Sequence, residues 1–352
     1  MRNLLFAFDG TWQVPDTDPA DGDKSTNVWR LVNSLNPQSS GGTEQLSWYF
    51  SGLGTQLFNQ LRGGLFGQGL SSKIVEGYSS LARHYRPGDR IFFAGFSRGA
   101  YTARSLAGMI ARVGLVRDEE EINQAYTLYR QGSVPEQRRF RKHCARQIPI
   151  EAIAVWDTVG ALGIPLGWFD DLNQHFLQFH DTQLGSNVRH AYQALAIDEH
   201  RRSFAPTLWT PSTTPQQTIE QRWFVGAHSD VGGGYNNALL STRSLAWIQS
   251  KLGELGLTTH RVEALSATAL QPTDSWQQFL AGLYSLGSER YYRPIGYTRF
   301  GAEVLAGAVP DHLSATDYRP LNPIGRHLRG YHPSVQLLSD YRHLGVQQLS
   351  SR

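Results

Sequence analysis

Apolar residues recur along the chain in two rhythms. Residues 4–8 form a short unbroken apolar run that stops at Asp9, Gly10 and Thr11, as a buried strand does on entering a polar loop. Similar runs predict strands over 48–50, 90–96, 152–156 and 223–227. Between them the spacing lengthens. Ile74, Tyr78, Leu81 and Tyr85 share one face of a helix that Pro87 and Gly88 end. Another helix is expected from Asn27 as N-cap through Val28, Leu31, Val32 and Leu35, and further ones over 98–113, 122–129, 188–197 and 241–252. Residues 16–26, rich in Asp, Pro and Gly, read as a loop, 266–277 as partly helical, and 320–335 carry the Pro and Gly of loops. Strands alternating with helices predict an α/β fold, a mainly parallel sheet with helices on both faces. With no repeat and no linker, 1–352 is expected to form one elaborated domain, with 258–352 as an extension.

Composition narrows the function. Of 352 residues 40% are hydrophobic and 18% charged, enough to bury a large core, so disorder is excluded for most of the chain. Thirty-three basic against 30 acidic residues leave a formal charge of +3. The basic residues are scattered apart from Arg138, Arg139, Arg141 and Lys142, so no nucleic-acid partner is expected. The single cysteine, Cys144, excludes an internal disulfide, a Cys-rich zinc module and a CxxC redox site, and no cofactor or metal is expected. Residues 1–8 are too short for a signal peptide's apolar region, and 45–72 hold six glycines, unlike a transmembrane helix. The expectation is a soluble protein, cytoplasmic as synthesised.

The chemistry must then come from hydroxyls, carboxylates and imidazoles. Gly95-Phe96-Ser97-Arg98-Gly99 fits G-x-S-x-G between a predicted strand and a predicted helix, the context in which that motif holds a nucleophile. A crowded strand-to-helix turn requires small residues two before and two after the serine, and the helix N-terminus offers N–H groups to a developing oxyanion. The competing reading is a small-residue turn that only packs a helix on a sheet. A base and an acid should follow in the order Ser, Asp, His. Asp157 ends an apolar strand, and His228 lies past another, before Ser229-Asp230-Val231-Gly232-Gly233-Gly234. Asp230 competes as the acid, although two residues from His228 it more naturally braces the glycine loop. His175, His180, His190 and His200 lie in or beside helical patterns, and Asp198 and Glu199 read as supporting carboxylates or partners of Arg201 and Arg202. The loop after the first strand would add a second oxyanion N–H, from Gly10 or Thr11, beside the amide of Arg98, with Asp9 fixing that loop. Residues 52–70 interleave seven Leu and Phe residues, Leu65 and Phe66 among them, with six glycines. That pattern suits a lid or interfacial surface for a lipid-like ester, or else an irregular loop covering the core.

Five ordered motifs carry a resemblance: FDGTW (8–12), GFSRGAYTAR (95–104), VWDTVGALGIP (155–165), HAYQALAIDEHR (190–201) and HSDVGGGY (228–235). Over roughly 1–250 the chain resembles the α/β-hydrolase family that includes the type VI secretion phospholipase effectors of lipase family 1. The resemblance implies a Ser-Asp-His hydrolase with Ser97, Asp157 and His228 on the matching motifs. It also implies an ester or lipid substrate, peripheral membrane contact and delivery by a secretion system that needs no signal peptide. A non-lipid carboxylesterase, a sugar-ester deacylase and a non-catalytic anion-binding module, using Gly232 to Gly234, are the alternatives.

Overall fold

The computed structural model describes residues 1–10, 24–52, 66–145, 148–159, 183–210, 214–262, 272–279, 283–291, 293, 297–298, 301–304 and 308–310. β1 (Asn3–Phe8) is followed by α1 (Asn27–Asn33), β2 (Gln45–Phe50), α2 (Phe66–His84), β3 (Arg90–Phe96) and α3 (Arg98–Val113). Then come α4 (Ile122–Gln131), α5 (Val134–Arg141), β4 (Ile150–Trp156), β5 (Val188–Ala196), β6 (Thr218–Phe224), α6 (His228–Gly232) and α7 (Leu239–Glu254). Beyond them lie α8 (Ser275–Gln278), α9 (Leu283–Gly287), and β7 (Tyr297–Thr298), β8 (Gly301–Val304) and β9 (Ala308–Pro310). Seven strands form one parallel sheet in the order β2-β1-β3-β4-β5-β6-β9, so the predicted α/β class and parallel sheet hold.

The period of two along each strand divides the core. Leu4, Phe6, Phe8, Ile91, Phe93, Ile153 and Val155 pack against Ile74, Tyr78 and Leu81 of α2 and Ala103, Leu106 and Ile110 of α3. Their neighbours Leu5, Ala7, Phe92, Ala94, Ala152 and Ala154 face Val28 and Leu31 of α1 and Leu245, Ile248 and Leu252 of α7. Because both faces are covered, the central strands read as continuous apolar runs rather than alternating ones. The seven strands of this sheet point the same way, so the ends of β1, β3, β4 and β5 lie side by side, Phe8 opposite Gly95 and Phe96 opposite Trp156.

Several boundaries differ from expectation. The helix expected over 188–197 is β5, placed between β4 and β6 and buried on alternate sides through Ala191 and through Tyr192, Ala194 and Ala196. A strand covered on both faces loses the alternation that distinguishes it from a buried helix, and three alanines strengthened the helical reading. Thr26 rather than Asn27 caps α1, its hydroxyl accepting from Trp29 N–H at 3.1 Å. Asn27 is buried instead, with its amide donating to the Val231 and Ser241 carbonyls. β6 begins five residues before the predicted 223, because its first half alternates partly exposed polar residues near the sheet edge. The Arg138–Arg141 region is a short helix with Phe140 on its buried side.

Candidate active site

The turn between β3 and α3 is strained where the sequence pattern placed a nucleophile. Ser97 has φ 58° and ψ −121°, outside the regions that suit a side-chain-bearing residue. Both flanking glycines are required by close approach. A Cβ on Gly95 would lie 2.5 Å from the Gly99 carbonyl oxygen, and one on Gly99 would overlap the carbonyl of Phe8 on the neighbouring strand. The Ser97 hydroxyl makes no capping bond to α3, and the residue is 5% exposed.

One strand across, β4 is followed directly by Asp157, which also has positive φ (38°) and is fully buried. The two turns are tied together by Ser97 N–H donating to the Trp156 carbonyl at 3.0 Å. His228, the first residue of α6, directs Nδ1 at Asp157 Oδ2 across 2.6 Å. Its ring lies on that of Phe96, centroids 4.6 Å apart, with the edge of Phe204 closing another side at 5.0 Å. The structure therefore joins Asp157 and His228 directly and sets their pair beside the residue preceding Ser97. Among the described residues no hydrogen bond links the Ser97 hydroxyl to His228.

The Asp157 carboxylate has no acceptor site to spare. Oδ1 accepts from Ala196 N–H at 3.0 Å and from Arg293 Nη1 at 2.6 Å, and Oδ2 from His228 and from Arg293 Nη2 at 2.9 Å. Burial alone would raise its pKa, but the Arg293 charge and the His228 bond outweigh it and hold the group well below the usual carboxylate range. Burial lowers the pKa of His228 against the opposing pull of Asp157, which favours the neutral ring.

The remaining carboxylates brace loops. Asp9 accepts from Gly10 N–H at 2.7 Å, Thr26 Oγ1 at 2.6 Å and Tyr49 OH at 2.7 Å, and burial raises its pKa to about 6. The Gly10 amide is thereby committed to Asp9, which corrects the expectation that it donates to an oxyanion. Thr11 lies outside the described residues. Arg98 is the first residue of α3. Asp198 accepts from Gly226 N–H, and Asp230 accepts from Ala227 N–H and from both the N–H and hydroxyl of Thr273. Glu199 is fully buried, gripped by Arg201 through three 2.8 Å bonds, two from the guanidinium and one from the backbone N–H, and accepts from His228 N–H at 3.2 Å. The tightness of the glycine loop comes from packing, since a Cβ on Gly232 would strike the Phe96 ring and one on Gly233 the Asn27 amide at 2.7 Å.

His190 lies on β5, and His200 is buried with Nδ1 3.0 Å from the Tyr291 carbonyl. Leu65 lies outside the described residues. Phe66 begins α2, and its side chain lies outside them too. Arg293 was invisible in the sequence reading, because nothing in its local pattern marks an arginine far along the chain as a partner of Asp157. Among the described residues no group of three or more His, Cys, Asp or Glu is placed to hold a metal ion, and no helix is long and apolar enough to cross a membrane.

A strained serine between strand and helix, at the C-terminal edge of a parallel sheet and beside a buried Asp–His pair, is the architecture of the α/β-hydrolase class. Residues 2–251 match the family described as type VI secretion system phospholipase effector Tle1-like, catalytic domain, and the chain belongs to that family. A curated relative, the uncharacterized protein YEL023C of Saccharomyces cerevisiae, is 29% identical over 240 residues, 60% of this chain and 33% of its own length. Among solved structures, an uncharacterized protein from Pseudomonas aeruginosa aligns over 76% of this chain and 48% of its own, at 16% identity and TM-score 0.42. A Tle1 effector bound to the VgrG spike of the type 6 secretion system aligns over 66% of this chain and 51% of its own, at 20% identity and TM-score 0.36. The chain thus spans a third to about half of the length of these relatives.

Proposed function

We propose that this chain is a serine esterase that cleaves the carboxylic ester of a lipid, most specifically a phospholipid, through an acyl-enzyme on Ser97. His228 takes the hydroxyl proton on Nε2 as Ser97 Oγ attacks the ester carbonyl. The tetrahedral oxyanion is received by the Arg98 amide and by a second N–H from the loop after β1, where Thr11 is the remaining candidate. Collapse expels the alcohol, which takes the proton back from His228. Water then repeats the sequence, its proton going to His228 and its oxygen to the acyl carbon, and Ser97 is released. Asp157 keeps the Nδ1–H tautomer and stabilises the imidazolium formed in each half.

The observation carrying this reading is the 2.6 Å Asp157–His228 bond set beside a strained Ser97. The lipid substrate rests on family membership and on the apolar, glycine-rich stretch 52–70, in which Leu65 and Phe66 would contact an acyl chain or a membrane surface. Delivery by a secretion system that needs no signal peptide is the matching route. The test compares phosphatidylcholine in mixed micelles with a short p-nitrophenyl ester, for the wild type and Ser97→Ala. Fatty-acid release that drops by about 10³ or more in the variant is expected. Undiminished release overturns the mechanism, and turnover confined to short esters or acetylated sugars overturns the lipid assignment.

A further inference from the structure

The match to the catalytic family ends at residue 251, yet the chain beyond it returns to the site at three buried carboxylates. Thr273 donates its N–H and hydroxyl to Asp230, Ser275 donates to Glu199, and Arg293 donates to Asp157. The third contact is the most demanding. Arg293 is 1% exposed and gives four hydrogen bonds through its two terminal nitrogens, two to the Asp157 oxygens and one each to the carbonyls of Ala196 (2.7 Å) and Phe204 (2.6 Å). The carbonyl bonds aim the fork, and the fork sets the plane of the carboxylate. That plane in turn fixes where Oδ2 meets His228 Nδ1.

We propose that Arg293, from the segment outside the family match, is a positioning residue for the catalytic acid: it orients Asp157 and neutralises it, and so sets the pH range over which His228 is a base. The proposal rests on the Ser97–His228–Asp157 reading above. A buried carboxylate without Arg293 would leave the Asp157–His228 pair with one uncompensated negative charge, and the pair would then bind a proton at higher pH, whichever member carries it. The other groups facing His228 do not replace that charge. Arg201 is spent on Glu199, Asp230 is held by Thr273 and Ala227, and Tyr235, whose pKa burial raises, stays neutral. The bidentate fork matters as well as the charge, since a lysine supplies one point donor in place of two parallel ones.

The experiment uses the full chain with Arg293→Met and Arg293→Lys. Two readouts are taken, the pH profile of kcat and KM on a soluble ester and the titration of the His228 ring by ¹⁵N NMR. For Arg293→Met, kcat should drop about 10- to 100-fold with KM unchanged, as on removing an orienting outer partner. Both the acid limb and the ring titration should move up by about one pH unit or more. Arg293→Lys should restore the limb but not the full kcat. A less stable Arg293→Met variant whose limb and titration stay at the wild-type position overturns the proposal, leaving Arg293 a structural anchor. If that variant does not fold, Arg293→Lys decides: wild-type kcat there overturns the positioning role. Should the wild type hydrolyse no ester, the enzymatic reading fails, while the NMR titration still tests the clamp.

Discussion

Gly99 is where fold and chemistry meet most tightly, and replacing it by alanine tests both. The added Cβ would stand 2.5 Å from the Phe8 carbonyl carbon and 2.6 Å from the Asp9 carbonyl oxygen. Ordinary carbon contacts begin near about 3.5 Å, so β1 and the start of α3 must separate by about 1 Å. The neighbour is backbone, held by β2 on one side and β3 on the other, and cannot rotate away as a side chain would. Overpacking typically costs about 1–3 kcal/mol, and this site belongs at the upper end, offset by under about 1 kcal/mol of helix propensity. A loss of about 2–3 kcal/mol should lower Tm by roughly 5–10 °C. Because the shift is at the elbow, kcat/KM should fall by about 100-fold even where the protein is folded. Gly108→Ala, in the same helix, is the control: among the described residues its Cβ would meet the Tyr129 ring at ordinary contact distances, the hydroxyl at 3.4 Å and Cε2 at 4.0 Å, and a neutral or stabilising change of up to about 1 kcal/mol is expected. Urea unfolding midpoints and ester kinetics read both. Gly99→Ala with wild-type midpoint and wild-type kcat/KM would refute the packing argument and the elbow with it.

Asp157→Asn should lower kcat by up to about 10⁴, because the carboxamide presents the wrong partner to His228 Nδ1, and should also cost stability, because it leaves the buried Arg293 charge unpaired. Asp230→Asn should cost stability at the Thr273 contact with a far smaller loss of kcat; the reverse ranking in steady-state kinetics would transfer the role of acid to Asp230. Since burial lowers the His228 pKa, the base form persists below the ordinary imidazole range, so the acid limb of kcat/KM should fall below about 6.5, and a limb above it contradicts the account. Asp9→Ala strands the donors of Gly10, Thr26 and Tyr49 and should cost roughly 2–4 kcal/mol in urea unfolding. Asp9 is a carboxyl whose folded pKa is raised to about 6, so its contribution is favourable in acid and lost as pH rises through that value. The stability of wild type relative to Asp9→Asn should therefore fall as pH rises from about 4 to about 6 and level off above that.

The β3–Ser97–α3 unit was legible because a short apolar run, two obligatory glycines and a 3.6-residue rhythm follow one another without interruption. A local rule, a polar residue just past an apolar strand, singles out Asp157 and His228, and the structure brings those two side chains together. β5 was misread since its burial is two-sided, which erases alternation, and only its neighbours β4 and β6 define it. Gly10 was expected to face an oxyanion from its place in the loop, but the direction of an amide depends on its acceptor, here Asp9. Arg293 lies 136 residues from Asp157, and its value to the site depends on the Ala196 and Phe204 carbonyls. No spacing rule links such groups; the fold alone brings them together.

The most direct measurement is the covalent mapping of the nucleophile. The chain is treated with a fluorophosphonate and digested, and the modified peptide is sequenced by mass spectrometry, with Ser97→Ala and His228→Ala in parallel. The account predicts stoichiometric modification at Ser97, none in Ser97→Ala, and labelling slowed by about 10³ in His228→Ala. Labelling at another serine, or an unlabelled protein that still hydrolyses ester, contradicts it.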